Sequence, residues 1–153
     1  MRILVLHGPN LNLLGEREPE MYGSMSLAQL NARLRAHAQK RGARLRIFQD
    51  NCEGTLIDLI HEHRHWAQGV VFNPGAYAHY SYALRDAVAA AGVATIEVHL
   101  TDVKKREPFR RRSVIAPVCI ATVCGGGAGS YLSAIDRLTE NAQPLKTKNL
   151  RPA

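Results

Sequence analysis

Arg2-Ile3-Leu4-Val5-Leu6-His7-Gly8-Pro9-Asn10 is the stretch whose reading decides the fold. Arg2 to Leu6 is β-like, and Gly8-Pro9 ends the apolar run, so a short strand opens directly into a loop. Ser26-Leu27-Ala28-Gln29 then has the pattern of a capping box. Leu27, Leu30, Leu34 and Ala38 repeat at helical spacing until Gly42 stops them. Arg44 to Gln49 reads as the next strand. A helix from about Gly54 places Leu56, Leu59, Ile60 and His63 on one face. Val70-Val71-Phe72 is a short buried strand after Gly69. Ser81 to Ala91 is a third helix, closed by Gly92. Ala94 to Val98 and Val118 to Val123 are two more strands. The last helix runs from about Ser130 to Thr139, with Tyr131, Ile135 and Leu138 turned inward.

Five alternations of strand and helix imply an α/β fold: a flavodoxin-like, doubly wound, five-stranded parallel sheet with helices on both faces. Residues 1–141 are expected to form a single catalytic domain. The tail, 142–153, is polar and contains proline, and is expected to be disordered. A chain of 153 residues can bury such a core without staples. Its three cysteines, Cys52, Cys119 and Cys124, show no CxxC spacing, and reduced buried thiols are expected. The opening apolar run is too short for a signal segment or a membrane span, so a cytoplasmic protein is expected.

The net charge of +7 allows nucleic-acid binding, but the basic residues are spread over helix faces. The one dense run is Lys104 to Arg112. A carboxylate substrate would gain the same attraction. The turn Gly125-Gly126-Gly127-Ala128-Gly129 lacks the Lys-Ser/Thr of a phosphate loop and reads as close packing or a subunit contact. His61, His63 and His65 lie two apart on a helix and cannot all face one ion, so they read as a solvated face. No metal or other cofactor is expected.

In doubly wound folds the site lies beyond the carboxyl ends of the strands. Asn10 follows the first strand, Asn73 and His79 the third, and His99 the fourth, so these four are expected to converge on one pocket. Each also has a plainer reading: turn chemistry for the two asparagines, a structural or surface role for His79. Alternation puts Glu97 and His99 on the same side of their strand. A carboxylate beside an imidazole fixes its tautomer, which suits a general acid and also suits a structural pair. The long segment Gly8 to Met25 reads as a lid carrying Arg17 and Tyr22. A tyrosine on a lid is commonly an aromatic plug. A guanidinium near a phenol stabilises its ionised form, as a base would need.

Three motifs carry a resemblance. Gly8-Pro9-Asn10-Leu11-Asn12-Leu13-Leu14-Gly15 with Arg17-Glu18-Pro19 and Tyr22-Gly23 is the first. Asn73-Pro74-Gly75-Ala76-Tyr77-Ala78-His79 with Ala83-Leu84-Arg85-Asp86-Ala87 is the second. The third is Glu97-Val98-His99-Leu100 followed by Arg106-Glu107-Pro108-Phe109-Arg110. In order and spacing, from Arg2 to about Leu138, the chain resembles the type II 3-dehydroquinate dehydratases. The resemblance implies anti elimination of water from 3-dehydroquinate through an enolate, giving 3-dehydroshikimate. The implied place is the shikimate pathway of aromatic amino acid biosynthesis, with catabolic quinate use as the alternative. It implies Tyr22 as base, Arg17 as the lid cation beside it, His99 as acid with Glu97 as its orienter, and Asn10 helping to stabilise the enolate. Asn73, His79, Arg110, Leu100 and Thr101 match the substrate-binding set, and Asp86 a residue that reaches a neighbouring subunit's site. A homo-oligomer is implied, a dodecamer built from trimers. The chain departs from the family pattern at Ala78, Asp102, Lys104, Lys105, the Gly125–Gly129 turn and Ser130. Ala78 and Asp102 are expected close enough to alter substrate affinity. A Schiff-base dehydratase using Lys104 or Lys105, and a nucleotide- or nucleic-acid-binding module, are the alternatives that the residues leave.

Overall fold

The N-terminal apolar run becomes strand β1, Arg2–His7, buried from Ile3 onward. In the computed structural model, which describes residues 1–16, 20 and 24–141, four further strands follow: β2 (Arg44–Gln49), β3 (Gly69–Asn73), β4 (Thr95–Val98) and β5 (Ala121–Val123). They alternate with helices α1 (Leu27–Lys40), α2 (Glu53–His63), α3 (Tyr82–Ala91) and α4 (Ala128–Asn141). All pairings are parallel and the order is β2-β1-β3-β4-β5. This is the doubly wound arrangement, with strand order reversing between β1 and β3. The tail 142–153 lies outside the described residues, as do Arg17 and Tyr22.

Strict alternation in β1 divides the core. Ile3 and Val5, with Val71, Ile96 and Val98, pack against Leu30 and Leu34 of α1 and Tyr131, Ile135 and Leu138 of α4. Leu4 and Leu6, with Val70 and Phe72, pack against Leu56 and Ile60 of α2 and Leu84 and Val88 of α3. Burying one such side chain contributes about 1.5–3 kcal/mol, against about 1 kcal/mol for a helix cap. The alternation therefore selects the two-faced sheet, and the caps set where helices begin. Ser26 and Gln29 form the expected reciprocal box. Ser81 caps α3 through Leu84 N–H, and Gly92 closes it at φ 64°. The Ser81 hydroxyl also donates to Glu53 at the start of α2, tying two helix N-termini together.

Four expectations need correction. β5 starts at Ala121 rather than Val118, because β4 offers a ladder of four residues and only Ala121–Val123 pair with it. Ala116–Val118, with Pro117, form a 3-10 turn instead. The last helix begins two residues earlier, at Ala128. His63 is buried, its Nδ1 bonded to the Leu59 carbonyl at 2.9 Å and its ring against Phe48 and Trp66. It shares the face of Leu56 and Ile60, whereas His61 and His65 are solvated. The cysteines are free, but Cys52 is exposed at the N-cap of α2. Burial pushes the Cys119 thiol up to about 12. No described helix is long and apolar enough to cross a membrane.

Candidate active site

The loops after β1 and β3 interlock at the crevice where strand order reverses. Gly8 N–H donates to the Asn73 carbonyl at 2.7 Å, and a Cβ on Gly8 would lie 2.7 Å from the Pro74 carbonyl. Gly75, at φ +57°, sits against Pro9. Only glycine allows so close a backbone approach. Asn10 adopts a left-handed conformation at φ 67°, which asparagine tolerates, and its N–H donates to Asn51 Oδ1.

One pocket opens at this crevice. Asn10, Asn73, His79, His99, Leu100, Thr101 and Arg110 all line it, together with Arg106. The convergence expected of three strand ends is thus present. Glu97 stands behind His99. Asp86 is exposed on α3 and outside its own chain's pocket, and Arg17 and Tyr22 are not among the described residues. Ala78 and Asp102 do not themselves line the pocket, but each adjoins in sequence a residue that does, His79 for the one and Thr101 and Val103 for the other. Ala78 is buried and its carbonyl accepts from Val114 N–H. Asp102 caps the next turn through Lys104 N–H.

An acceptor oxygen fixes which ring nitrogen of each pocket imidazole donates toward the protein. His99 Nε2 bonds Glu97 Oε1 at 2.6 Å, both groups being buried, which turns Nδ1 over to the pocket. His79 Nδ1 donates to the Arg112 carbonyl at 2.8 Å and leaves Nε2 for a ligand. The rings lie nearly parallel, 6.5 Å apart, with Phe109 edge-on to His79. Arg110 Nε is steadied by Glu107 at 3.0 Å, and its guanidinium lies over Phe109. Arg106 reaches Thr101 Oγ1 and Glu107. The Glu107 carboxyl is held below its usual range by its own backbone N–H and by Arg110.

The glycine turn acts as a brace. Gly127 and Gly125 N–H donate to the carbonyls of Leu100 and Thr101, at 2.9 and 3.1 Å. Among the described residues nothing accepts from the N–H groups of Leu100 and Thr101 themselves. Both residues line the pocket, and two backbone donors without an acceptor among the described residues suit an anion. Ser130 in turn accepts from Gly126 N–H.

Ser113 is the group that motif reading missed. Its hydroxyl donates to Glu97 Oε2 at 2.7 Å and accepts from Ile115 and Ala116 N–H. Both Glu97 oxygens are therefore occupied, one by His99 and one by Ser113. Ser113→Ala removes a partner from a buried carboxylate and frees its rotation. The expected result is about a tenfold fall in kcat with little change in KM, read by steady-state kinetics.

The strand expected to end at Leu6 runs one residue further, and His7 completes the ladder, opposite Gln49 and Asn73. It is fully buried, with Nδ1 2.8 Å from Tyr131 Oη and Nε2 2.9 Å from Asn31 Oδ1. Burial pushes it down from 6.5 to about 4, against the opposing pull of Asn31. The unfolded chain therefore binds the proton more readily than the folded one. Stability is complete above pH 6.5 and falls as pH drops toward 4, by about 3 kcal/mol if His7 alone is counted. Chemical denaturation across that range should show the slope in the parent and a flatter one in His7→Asn.

The profile of the Dehydroquinase class II family matches residues 1–139. A 3-dehydroquinate dehydratase of Pelotomaculum thermopropionicum is 55% identical over 135 residues, which cover 88% of this chain and 94% of that protein. The crystal structure of a type II dehydroquinase from Butyrivibrio crossotus superposes with a TM-score of 0.89 at 44% identity, covering 90% of this chain and 97% of that one. One from Propionibacterium acnes gives 0.88 at 36% identity, covering 91% and 96%.

Proposed function

This chain belongs to the class II dehydroquinase family and has the activity of a 3-dehydroquinate dehydratase, and on that premise we propose which of its residues carry the reaction and how. The biosynthetic role is the family's standard one, and the catabolic alternative is not favoured. The reaction takes a proton from the carbon alpha to the ring ketone. The C–H electron pair becomes the enolate, and its collapse expels a hydroxyl that leaves as water. A base and an acid are needed on opposite sides of one ring, with fixed donors where negative charge develops.

Tyr22 is the base and Arg17 the cation that favours its phenolate. His99 is the acid: in its imidazolium form Nδ1 gives its proton to the departing hydroxyl, while Nε2–H stays bonded to Glu97 and the ring is left neutral. Asn10 donates toward the enolate oxygen. Asn73, His79, Arg110 and the N–H groups of Leu100 and Thr101 hold the substrate's carboxylate and hydroxyls. The single observation that carries this reading is the His99–Glu97 pair at 2.6 Å, buried at the wall of a pocket with donors converging on it. Asp86, exposed on α3, serves the pocket of a neighbouring copy in a dodecamer built from trimers. The protein works in the cytoplasm and needs no cofactor for either proton transfer.

Mixing 3-dehydroquinate with purified protein tests the reading. Ultraviolet absorbance of the conjugated enone should rise at once. A flat trace from correctly assembled protein would overturn it.

A further inference from the structure

The α1/α4 face of the sheet is lined mainly by apolar side chains, but at its carboxyl end a polar chain is buried. Asn31 on α1, His7 on β1 and Tyr131 on α4 bond in series. The next group is Asn73 on β3, directly opposite His7 in the β1–β3 ladder and neighbour to the Tyr131 hydroxyl. Tyr131 and His7 are both 0% exposed. Leucine at 7 and phenylalanine at 131 would fill the same space without desolvating polar groups.

The chain has one consistent direction. Asn31 Oδ1 only accepts, so His7 Nε2 carries the proton. Nδ1 must then accept, and Tyr131 donates to it. The lone pairs of Tyr131 are left for the amide of Asn73. Asn73 Oδ1 is separately fixed, accepting from Gly75 N–H at 3.1 Å. With its oxygen so held and its nitrogen on the side of the Tyr131 hydroxyl, the Asn73 amide keeps a hydrogen for the pocket that Asn73 lines.

We propose that His7 and Tyr131 are positioning residues, which fix the amide of Asn73 so that it presents an N–H donor to the substrate. This rests on the reading of Asn73 as a substrate-binding residue. Neither His7 nor Tyr131 lines the pocket, so both act through Asn73.

A double-mutant cycle in steady-state kinetics tests it. Tyr131→Phe keeps the ring and its volume and removes the hydroxyl. It should raise KM about tenfold and leave kcat within about twofold, as loss of one uniformly bound donor would. His7→Leu should do the same. His7→Asn places an amide oxygen near the position of Nδ1, keeps an acceptor for Tyr131, and should restore a parental KM. In an Asn73→Ala background, Tyr131→Phe should have no further effect. A parental KM in Tyr131→Phe, or a tenfold loss that persists in the Asn73→Ala background, would overturn the proposal. An unchanged KM in Asn73→Ala alone would instead remove the binding role of Asn73 on which the proposal stands. Should His7→Leu fail to fold, Tyr131→Phe, checked by thermal unfolding, carries the test.

Discussion

His99→Ala should retain about a thousandth of parental kcat, at nearly parental KM. Hydroxide is a poor leaving group, and an enolate that cannot expel it returns to substrate. Protonation by a positioned acid is what makes departure fast. The proposed acid, His99, is held in place by two constraints that act together. The β4 alternation carries its side chain round to the side of Glu97, and the 2.6 Å bond at Nε2 leaves Nδ1 as the free ring nitrogen. Glu97 is itself held by Ser113, so the ring has little freedom to turn. A histidine retained only to fill space would be replaced at a cost in stability, with kcat preserved. Rate measurements on folded His99→Ala decide between those outcomes.

Tyr22→Phe should be at least as damaging, with a loss of about a thousandfold or more in kcat. A free phenol, with a pKa of about 10, is ionised in about one molecule per thousand at neutral pH. A tyrosine base therefore needs cations nearby. The sequence places Arg17 five residues before it, and Arg106 and Arg110 line the pocket it is proposed to serve. Phenylalanine keeps the ring and removes only the atom that takes the proton. A variant with parental kcat would leave the reaction in place and remove Tyr22 as its base.

The division of the core was legible because β1 alternates strictly: Ile3 and Val5 face one way, Leu4 and Leu6 the other. The pocket was legible because parallel topology sends every carboxyl end to one edge, so Asn10, Asn73, His79 and His99 had to meet there. Boundaries set by partners were not legible. Cys119 and Ile120 continue an apolar run, yet a four-residue β4 limits how much of it can pair. Ser113 carried no signal of its own. It is a common residue in an irregular segment, and only the folded chain brings it to Glu97. His7 could have been found, since it continues the period of Ile3 and Val5 into the interior, where an imidazole requires partners. The hydroxyl of Tyr131 was hidden behind a correct inward assignment: the helical period says that the ring is buried, and is silent on what its oxygen meets.

The central claim is that this pocket eliminates water by proton transfer alone, with no covalent attachment of substrate. Among the described residues no lysine lines it, and Lys104 and Lys105 are exposed on the neighbouring turn. The most direct test adds borohydride to the parent protein during turnover of 3-dehydroquinate, then measures residual activity and intact mass. Full activity with unchanged mass is the predicted result. Inactivation accompanied by a mass gain of one reduced substrate on a lysine would contradict it and assign the chemistry to a Schiff base.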